Sequence, residues 1–181
     1  HLGAFSAAAE AGVPLVPVRL GAIHGVGDPH ETRDFLRGSL RREVPVYARD
    51  GAFCWAHVDD AAVALRLAMD AAEPGTRYIM SGPCHSIAEL LQLAQELTGI
   101  PMPRWSASRG VMRRLASLID PIDSLLPIPP AYTAEALRSA TATYLGSNAK
   151  ARSELGYDPR SLREGLADRL GAEMAAVGRP S

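Results

Sequence analysis

A loop with three glycines follows an apolar run near the start of the chain, in the segment 16–28, VPVRLGAIHGVGD. In α/β proteins the ligand crevice lies beyond the carboxyl ends of the strands, so this loop is a candidate for contact with a cofactor or a substrate. Glycines that cradle a dinucleotide pyrophosphate need a G-x-x-G-x-x-G type of spacing before a helix. The glycines at positions 21, 25 and 27 lack that spacing. The loop is therefore predicted to do something other than cradle a phosphate.

Aromatic side chains form a second candidate, in the segment 53–57, FCWAH. Phe53 and Trp55 suit an apolar or ring-shaped substrate better than a pyrophosphate, although plain core packing is the alternative for Trp55. Asp59 and Asp60 follow, and no His or Cys cluster lies near them in the sequence, so we predict that they cap a helix and that no metal is bound.

The composition limits the classes of function. The 181 residues carry a formal net charge of −1 and 47% hydrophobic residues, which predicts neither a nucleic-acid groove nor an anionic membrane as a partner. No apolar segment is long enough to span a bilayer, and no signal peptide is recognised. Cys54 and Cys84 form no C-x-x-C pair and are predicted to be reduced thiols, which makes the cytoplasm the default location.

Periodicity and capping signals predict the elements that position these residues. Helices are expected over 2–11, from Asp28-Pro29 to about residue 42, and over 61–72, 86–97, 111–119, 148–155 and from 161 onward, with another starting near Ala131. Strands are expected over 14–20, 44–47 and 77–80, followed by helices only. This alternation predicts an α/β fold, with a parallel sheet and a mostly helical cap.

Five segments in this order resemble those of extended short-chain dehydrogenases/reductases, in the NAD-dependent epimerase/dehydratase family and its dihydroflavonol-reductase-like and hydroxysteroid-dehydrogenase-like branch. The segments are RLGAIHGVGD at 19–28, AHVDDAA at 56–62, GTRYI at 75–79, the helix over 86–99 that ends LTG, and KARSELGYDP at 150–159. The resemblance implies the C-terminal part of a Rossmann-type sheet plus a substrate-binding cap. We accordingly divide the chain into a dinucleotide-domain remnant over 1–80 and a mostly helical substrate portion over 81–181, joined as one structural unit.

The resemblance assigns roles to individual residues. Leu20, Gly21 and Ile23 would lie at the strand end against the nicotinamide of NAD or NADP, with Leu20 replacing the usual proline. His24 stands where the family has a tyrosine and would face the substrate with Phe53 and Trp55, although a bond from its imidazole to a nearby carbonyl is an equal alternative.

Charged residues complete these expectations. Arg19 is expected to be an internal ion-pair partner, with phosphate binding as the alternative. The family's nucleotide-sugar enzymes often carry an arginine in the segment before H-V-D; this chain has Phe53 and Trp55 there, with Arg49 nearby. The arginines over 104–114 predict a solvated basic face or, alternatively, contact with an anionic substrate tail.

The family's G-x-x-G-x-x-G loop and Y-x-x-x-K pair do not occur in this sequence. We therefore expect a C-terminal fragment of an NAD(P)-dependent oxidoreductase or epimerase, without catalytic residues of its own, inactive alone and with weak or no cofactor affinity. Its parent would act on a carbonyl or alcohol carbon of a small organic molecule, and the resemblance allows a homodimer of that parent. A non-catalytic binding module and a nucleotide-sugar substrate are the alternatives.

Overall fold

A computed structural model of the chain describes residues 2–27, 31–121 and 132–176. The expected helix start at Asp28-Pro29 and most of the proline-rich segment 121–130 lie outside the described residues. The helices are α1 (Leu2–Glu10), α2 (Glu31–Leu40), α3 (Val58–Ala71), α4 (Ile87–Thr98), α5 (Arg109–Ile119), α6 (Ala134–Ala140), α7 (Ala149–Leu155) and α8 (Leu162–Ala176). The strands are β1 (Val18–Leu20), β2 (Ala22–His24), β3 (Val46–Ala48), β4 (Ala52–His57), β5 (Tyr78–Met80), β6 (Cys84–Ser86), β7 (Trp105–Ala107) and β8 (Thr143–Tyr144).

The strands pair mainly in parallel, as the predicted α/β class requires. Strand β1 pairs with β5, β2 with β4, and β3 with β7, all in parallel. Strand β4 also takes β6 as an antiparallel neighbour and β8 as a parallel one. The expectation of helices only after residue 80 is wrong, because β6, β7 and β8 are strands of two or three residues, too short to show a periodic pattern.

Three apolar clusters hold these elements together. Trp55 packs with α2, α4 and α8 around Leu36, Leu90 and Leu166. A second cluster joins β1 and β5 to α3 and α7, and a third joins β3 to α5 and α6. Helices α2, α4 and α8 thus share one cluster with β4, which fixes Trp55 of the aromatic segment against helices from both halves of the chain.

Helix ends follow the predicted capping chemistry with one correction. The Ser86 backbone N–H donates to Glu89 Oε2 at 2.7 Å, and the Ser161 backbone N–H donates to Glu164 Oε2 at 2.8 Å, which confirms both capping boxes. The prediction that Asp59 and Asp60 cap α3 is wrong. The cap is His57, whose Nδ1 accepts a bond from the backbone N–H of Asp59 at 3.3 Å, and both aspartates lie in the first helical turn.

Cys54 and Cys84 are joined by a disulfide, so the prediction of two reduced thiols is wrong. The physical reason is the register of β4 and β6, which sets the two residues directly opposite one another. A spacing of 30 residues between two cysteines does not by itself predict this disulfide. A cytoplasmic location, which relied partly on reduced thiols, stays a prediction.

Two further expectations concern the burial of Arg19 and the length of the helices. The prediction that Arg19 is an internal ion-pair partner is wrong, because Arg19 is exposed on β1. Side chains alternate between the two faces of a strand, and Arg19 lies on the face opposite to that of its two half-buried neighbours. Within the described ranges, every helix is too short or too polar to cross a membrane.

Candidate functional site

The parallel pairing of β2 with β4 brings the glycine loop and the aromatic segment together. Ala22 lies opposite Trp55, and His24 lies opposite His57. Residues assigned to the cofactor side and residues assigned to the substrate side therefore occupy neighbouring strands. The sequence alone did not predict either strand, since β2 has only three residues and follows β1 after a single residue.

Gly21 lies at the join between β1 and β2, where the backbone of β4 comes very close. A Cβ atom at this position would lie 2.1 Å from the carbonyl oxygen of Cys54 and 3.0 Å from the Cβ of Ser81. The space beside Gly21 is thus filled by the protein's own backbone, which explains why glycine is needed there. Leu20 is half-buried and packs in the β1–β5 cluster, whereas the side chain of Ile23 is 41% exposed.

An apolar cavity of about 240 Å³ opens on the other side of β4. Ala22, Phe53 and Trp55 form its sheet wall. Helices, a loop and strand β8 complete it with Phe35, Leu90, Met112, Tyr132, Leu137 and Tyr144. Among the described residues, no charged side chain lines this cavity. Its volume lies just below the usual range of about 300–1,000 Å³ for ligand pockets, so it fits a small ring system or part of a larger apolar molecule.

Aromatic contacts fix the geometry of the cavity wall. Phe53 lies between Trp55, with ring centroids 5.5 Å apart, and Tyr144, stacked at 6.2 Å. The indole N–H of Trp55 donates to the carbonyl oxygen of His85 at 3.2 Å, which satisfies its polar atom and leaves an apolar face for the cavity. Tyr144 is 71% exposed and forms the rim. Sequence reasoning missed Tyr144, because a two-residue strand far along the chain carries it to β4.

The hydroxyl of Tyr132, a residue of the cavity wall, is hydrogen-bonded to the backbone. The hydroxyl donates to the carbonyl oxygen of Val46 at 3.3 Å and accepts from the Val46 N–H at 3.4 Å. Burial raises the pKa of Tyr132 above its usual value. The phenol therefore stays protonated and acts as a fixed part of the wall.

His24 lies behind Trp55, outside the cavity lining. Its side chain is 2% exposed, and its ring centroid is 5.5 Å from that of His57 and 6.3 Å from that of Trp55. Helix α8 covers both histidines, and a Cβ at Gly165 would lie 2.7 Å from His24 Cε1. His24 thus contacts Trp55 edge-on but does not line the cavity with Phe53 and Trp55, and a substrate role for His24 stays a prediction.

Other candidate groups lie away from the cavity. The Arg49 side chain is 62% exposed, beside Asp50, and is not part of the lining. Asp60 binds Arg160, with its Oδ1 at 3.0 Å from Nε. In the described part of the chain, His, Cys, Asp and Glu side chains form no group of three that would hold a metal.

The strand end at residues 20–23 is the part of this chain that is predicted to meet a nicotinamide dinucleotide. The strand end 20–23 offers backbone groups and the partly exposed Ile23, but the space beside Gly21 is occupied by the Cys54 carbonyl. The sequence holds no loop with the glycine spacing that a pyrophosphate needs. The residues of this sequence therefore do not build a complete cofactor site.

No family model matches the chain. A curated protein named sterol demethylase protein B, from Methylococcus capsulatus, is 33% identical over 138 residues, which cover 75% of this chain and 40% of that protein. A nucleoside-diphosphate-sugar epimerase from Pseudomonas aeruginosa matches with a TM-score of 0.72 and 24% identity, over 99% of this chain and 55% of that one.

A third match is a UDP-glucuronic acid 4-epimerase from Bacillus cereus, in complex with UDP-glucuronic acid and NAD. It has a TM-score of 0.65 and 14% identity, over 94% of this chain and 48% of that one. This chain thus spans 40% of the curated relative and about half of the two structures. The predicted resemblance to the epimerase/dehydratase family and its Rossmann-type α/β fold is confirmed at the level of the fold.

Proposed function

We propose that this chain forms the substrate-side part of an NAD(P)-dependent oxidoreductase that acts on a carbonyl or alcohol carbon of a small, apolar, ring-shaped molecule. The main support is the cavity beside Phe53 and Trp55, because no charged side chain lies among the described residues that line it. A buried diphosphate needs cationic partners, whereas an apolar ring needs only surface to pack against. The curated relative named for sterol demethylation supports an apolar ring-bearing substrate.

The proposed roles divide along β2 and β4. Residues 20–23 supply the edge of the nicotinamide side, and Phe53, Trp55 and Tyr144 hold the substrate and exclude water from it. This sequence contains neither the G-x-x-G-x-x-G loop nor the Y-x-x-x-K pair, and we propose that other polypeptide supplies the acid–base groups and the pyrophosphate loop. The chain alone is therefore expected to bind substrate and not to turn it over, with NADPH affinity weak or absent. Tight NADPH binding by the 181-residue chain would contradict this assignment.

A nucleotide sugar is the second candidate substrate, since two of the matched structures belong to nucleotide-sugar epimerases. The two candidate substrates need different surroundings. The diphosphate of a nucleotide sugar needs an arginine within reach, and Arg49 lies outside the cavity. The uncharged lining favours the apolar substrate.

Tryptophan fluorescence of the chain tests the proposal directly, because the two tryptophans differ sharply in position. Trp55 lines the cavity and is 5% exposed, whereas Trp105 is 76% exposed. The variant Trp105→Phe isolates the Trp55 signal, and Trp55→Phe is the matched control that keeps only Trp105. Saturable quenching by a steroid ketone in W105F but not in W55F supports the proposal. Quenching by UDP-glucose and not by the ketone would overturn it in favour of the nucleotide sugar.

Hydride transfer is tested on the product of the full open reading frame that contains this sequence. In that protein, NADPH absorbance should fall when a cyclic ketone is added. If neither the ketone nor UDP-glucose is converted, the remaining candidate is a non-catalytic binding module.

A further inference from the structure

Helix α5 presents two different faces. Met112 and Ala116 are buried, and Met112 lines the cavity. Val111, Arg114 and Leu118 follow one another at spacings of three and four residues, so they share one stripe of the helix surface. Val111 is 55% and Leu118 72% exposed. Together with exposed Arg113, these residues form a surface that we call the α5 outer face.

The charged residues in and just before this helix are all positive. The segment 97–119 contains four arginines and no acidic residue. Two acidic residues near the helix, both in the described part of the chain, are occupied. Asp120 binds the guanidinium of Arg138 at 2.8 and 3.2 Å, and Asp50 accepts the backbone N–H of Arg109 at 2.7 Å. A net charge of −1 for the whole chain therefore conceals a local basic surface.

The start of α5 is also tied to the mouth of the cavity. The Arg109 guanidinium donates to the Thr143 hydroxyl at 3.1 Å, and the next residue, Tyr144, is the exposed rim residue that stacks on Phe53. Leu145, one residue further, is 62% exposed. The helix therefore has one face in the cavity, its first residue at the rim, and a basic and apolar outer face.

We propose that the α5 outer face binds the surface of a bilayer that contains anionic phospholipids. Helices that lie in a membrane interface combine arginine or lysine with exposed apolar side chains, and anionic headgroups attract the basic residues. Binding to a nucleic acid would use the arginines but would leave Val111 and Leu118 without a function. This partner departs from the expectation based on total charge, and it does not depend on the proposed reaction.

Co-sedimentation of the 181-residue chain with vesicles tests this partner. We expect binding to vesicles of phosphatidylcholine mixed with phosphatidylglycerol, little binding to phosphatidylcholine alone, and a loss of binding as salt rises. Each arginine near such a surface contributes about fivefold to the partition coefficient, so Arg113→Glu with Arg114→Glu should lower it by roughly 25-fold or more. The matched control is Arg66→Glu with Arg152→Glu, which changes the net charge equally at two exposed arginines of α3 and α7. This control should retain most of the binding.

A second pair of variants separates a bilayer from a nucleic acid. Val111→Ser with Leu118→Ser should weaken vesicle binding while circular dichroism and Trp55 fluorescence remain unchanged. Equal binding to both kinds of vesicle, or equal loss in the Arg66/Arg152 control, overturns the proposal. Binding to a DNA duplex that is stronger than vesicle binding and insensitive to the serine variants would assign the surface to nucleic acid instead.

Discussion

Asp60 and Arg160, which lie 100 residues apart in the chain, form an ion pair that holds the segment before α8 against the start of α3. The Asp60 carboxylate accepts from the Arg160 backbone N–H at 3.1 Å and from the guanidinium Nε at 3.0 Å. Asp60 is 9% exposed, so these hydrogen bonds, more than water, satisfy its carboxylate oxygens. The adjacent Asp59 is exposed and lies 3.6 Å from the same guanidinium.

Replacing Asp60 should destabilise the fold far more than replacing Asp59. Asp60→Asn removes the charge of a buried carboxylate that is hydrogen-bonded to the part-buried Arg160, and we expect the free energy of unfolding to fall by roughly 1–3 kcal/mol. Asp59→Asn is the matched control, with an expected change below about 1 kcal/mol because its ion pair is exposed. Urea unfolding of both variants measures the difference, and equal losses would contradict this role for Asp60.

Two glycines of α8 should respond in opposite directions to alanine. Gly165→Ala would push a methyl group against His24, 2.7 Å away, and overpacking a buried site costs about 1–3 kcal/mol. Gly171 lies in the same helix with nothing within 4 Å of its Cβ position. Gly171→Ala should therefore gain up to about 1 kcal/mol from helix propensity. Thermal unfolding of the two variants tests the contact, and a neutral Gly165→Ala would show that α8 does not press on His24.

Local patterns predicted the long elements well, and tertiary placement explains what they missed. Capping boxes identified α4 and α8 because serine and glutamate three residues apart satisfy backbone groups within one turn. The cavity walls depend on β8, which brings Tyr144 to Phe53 from about half a chain length away and has no periodic signal of its own. The Cys54–Cys84 bond likewise depends on strand register, which spacing does not reveal.

Tyr157 should make the stability fall at alkaline pH. Burial, with a smaller contribution from the Asp60 carboxylate, raises the pKa of Tyr157 from 10.0 to about 12. Below pH 10 the folded and unfolded chains both keep this proton. Between about pH 10 and pH 12 the unfolded chain loses it first, so folding stability declines as the pH rises. Urea unfolding at a series of pH values measures the decline.

Tyr157→Phe provides the control for this titration. The Tyr157 hydroxyl is buried and has no hydrogen-bond partner among the described residues. Its removal should therefore change the stability at neutral pH by less than about 1 kcal/mol or increase it. The variant should also lose the part of the alkaline decline that belongs to Tyr157. An unchanged pH profile would assign the decline to other groups, such as Tyr78 and Tyr132, whose pKa values are also raised.

The Cys54–Cys84 disulfide should contribute to stability by limiting the unfolded chain. A cross-link between residues 30 apart removes loop entropy worth roughly 3–4 kcal/mol, so dithiothreitol should lower the free energy of unfolding by about that amount. The variant Cys84→Ser should start from the lower value and be insensitive to the reductant. Thiol titration in denaturant should detect no free thiol before reduction, and two thiols in the untreated chain would contradict the bond. Because Cys54 lies between Phe53 and Trp55 in β4, a change in Trp55 fluorescence on reduction would show that the bond also holds the cavity wall in place.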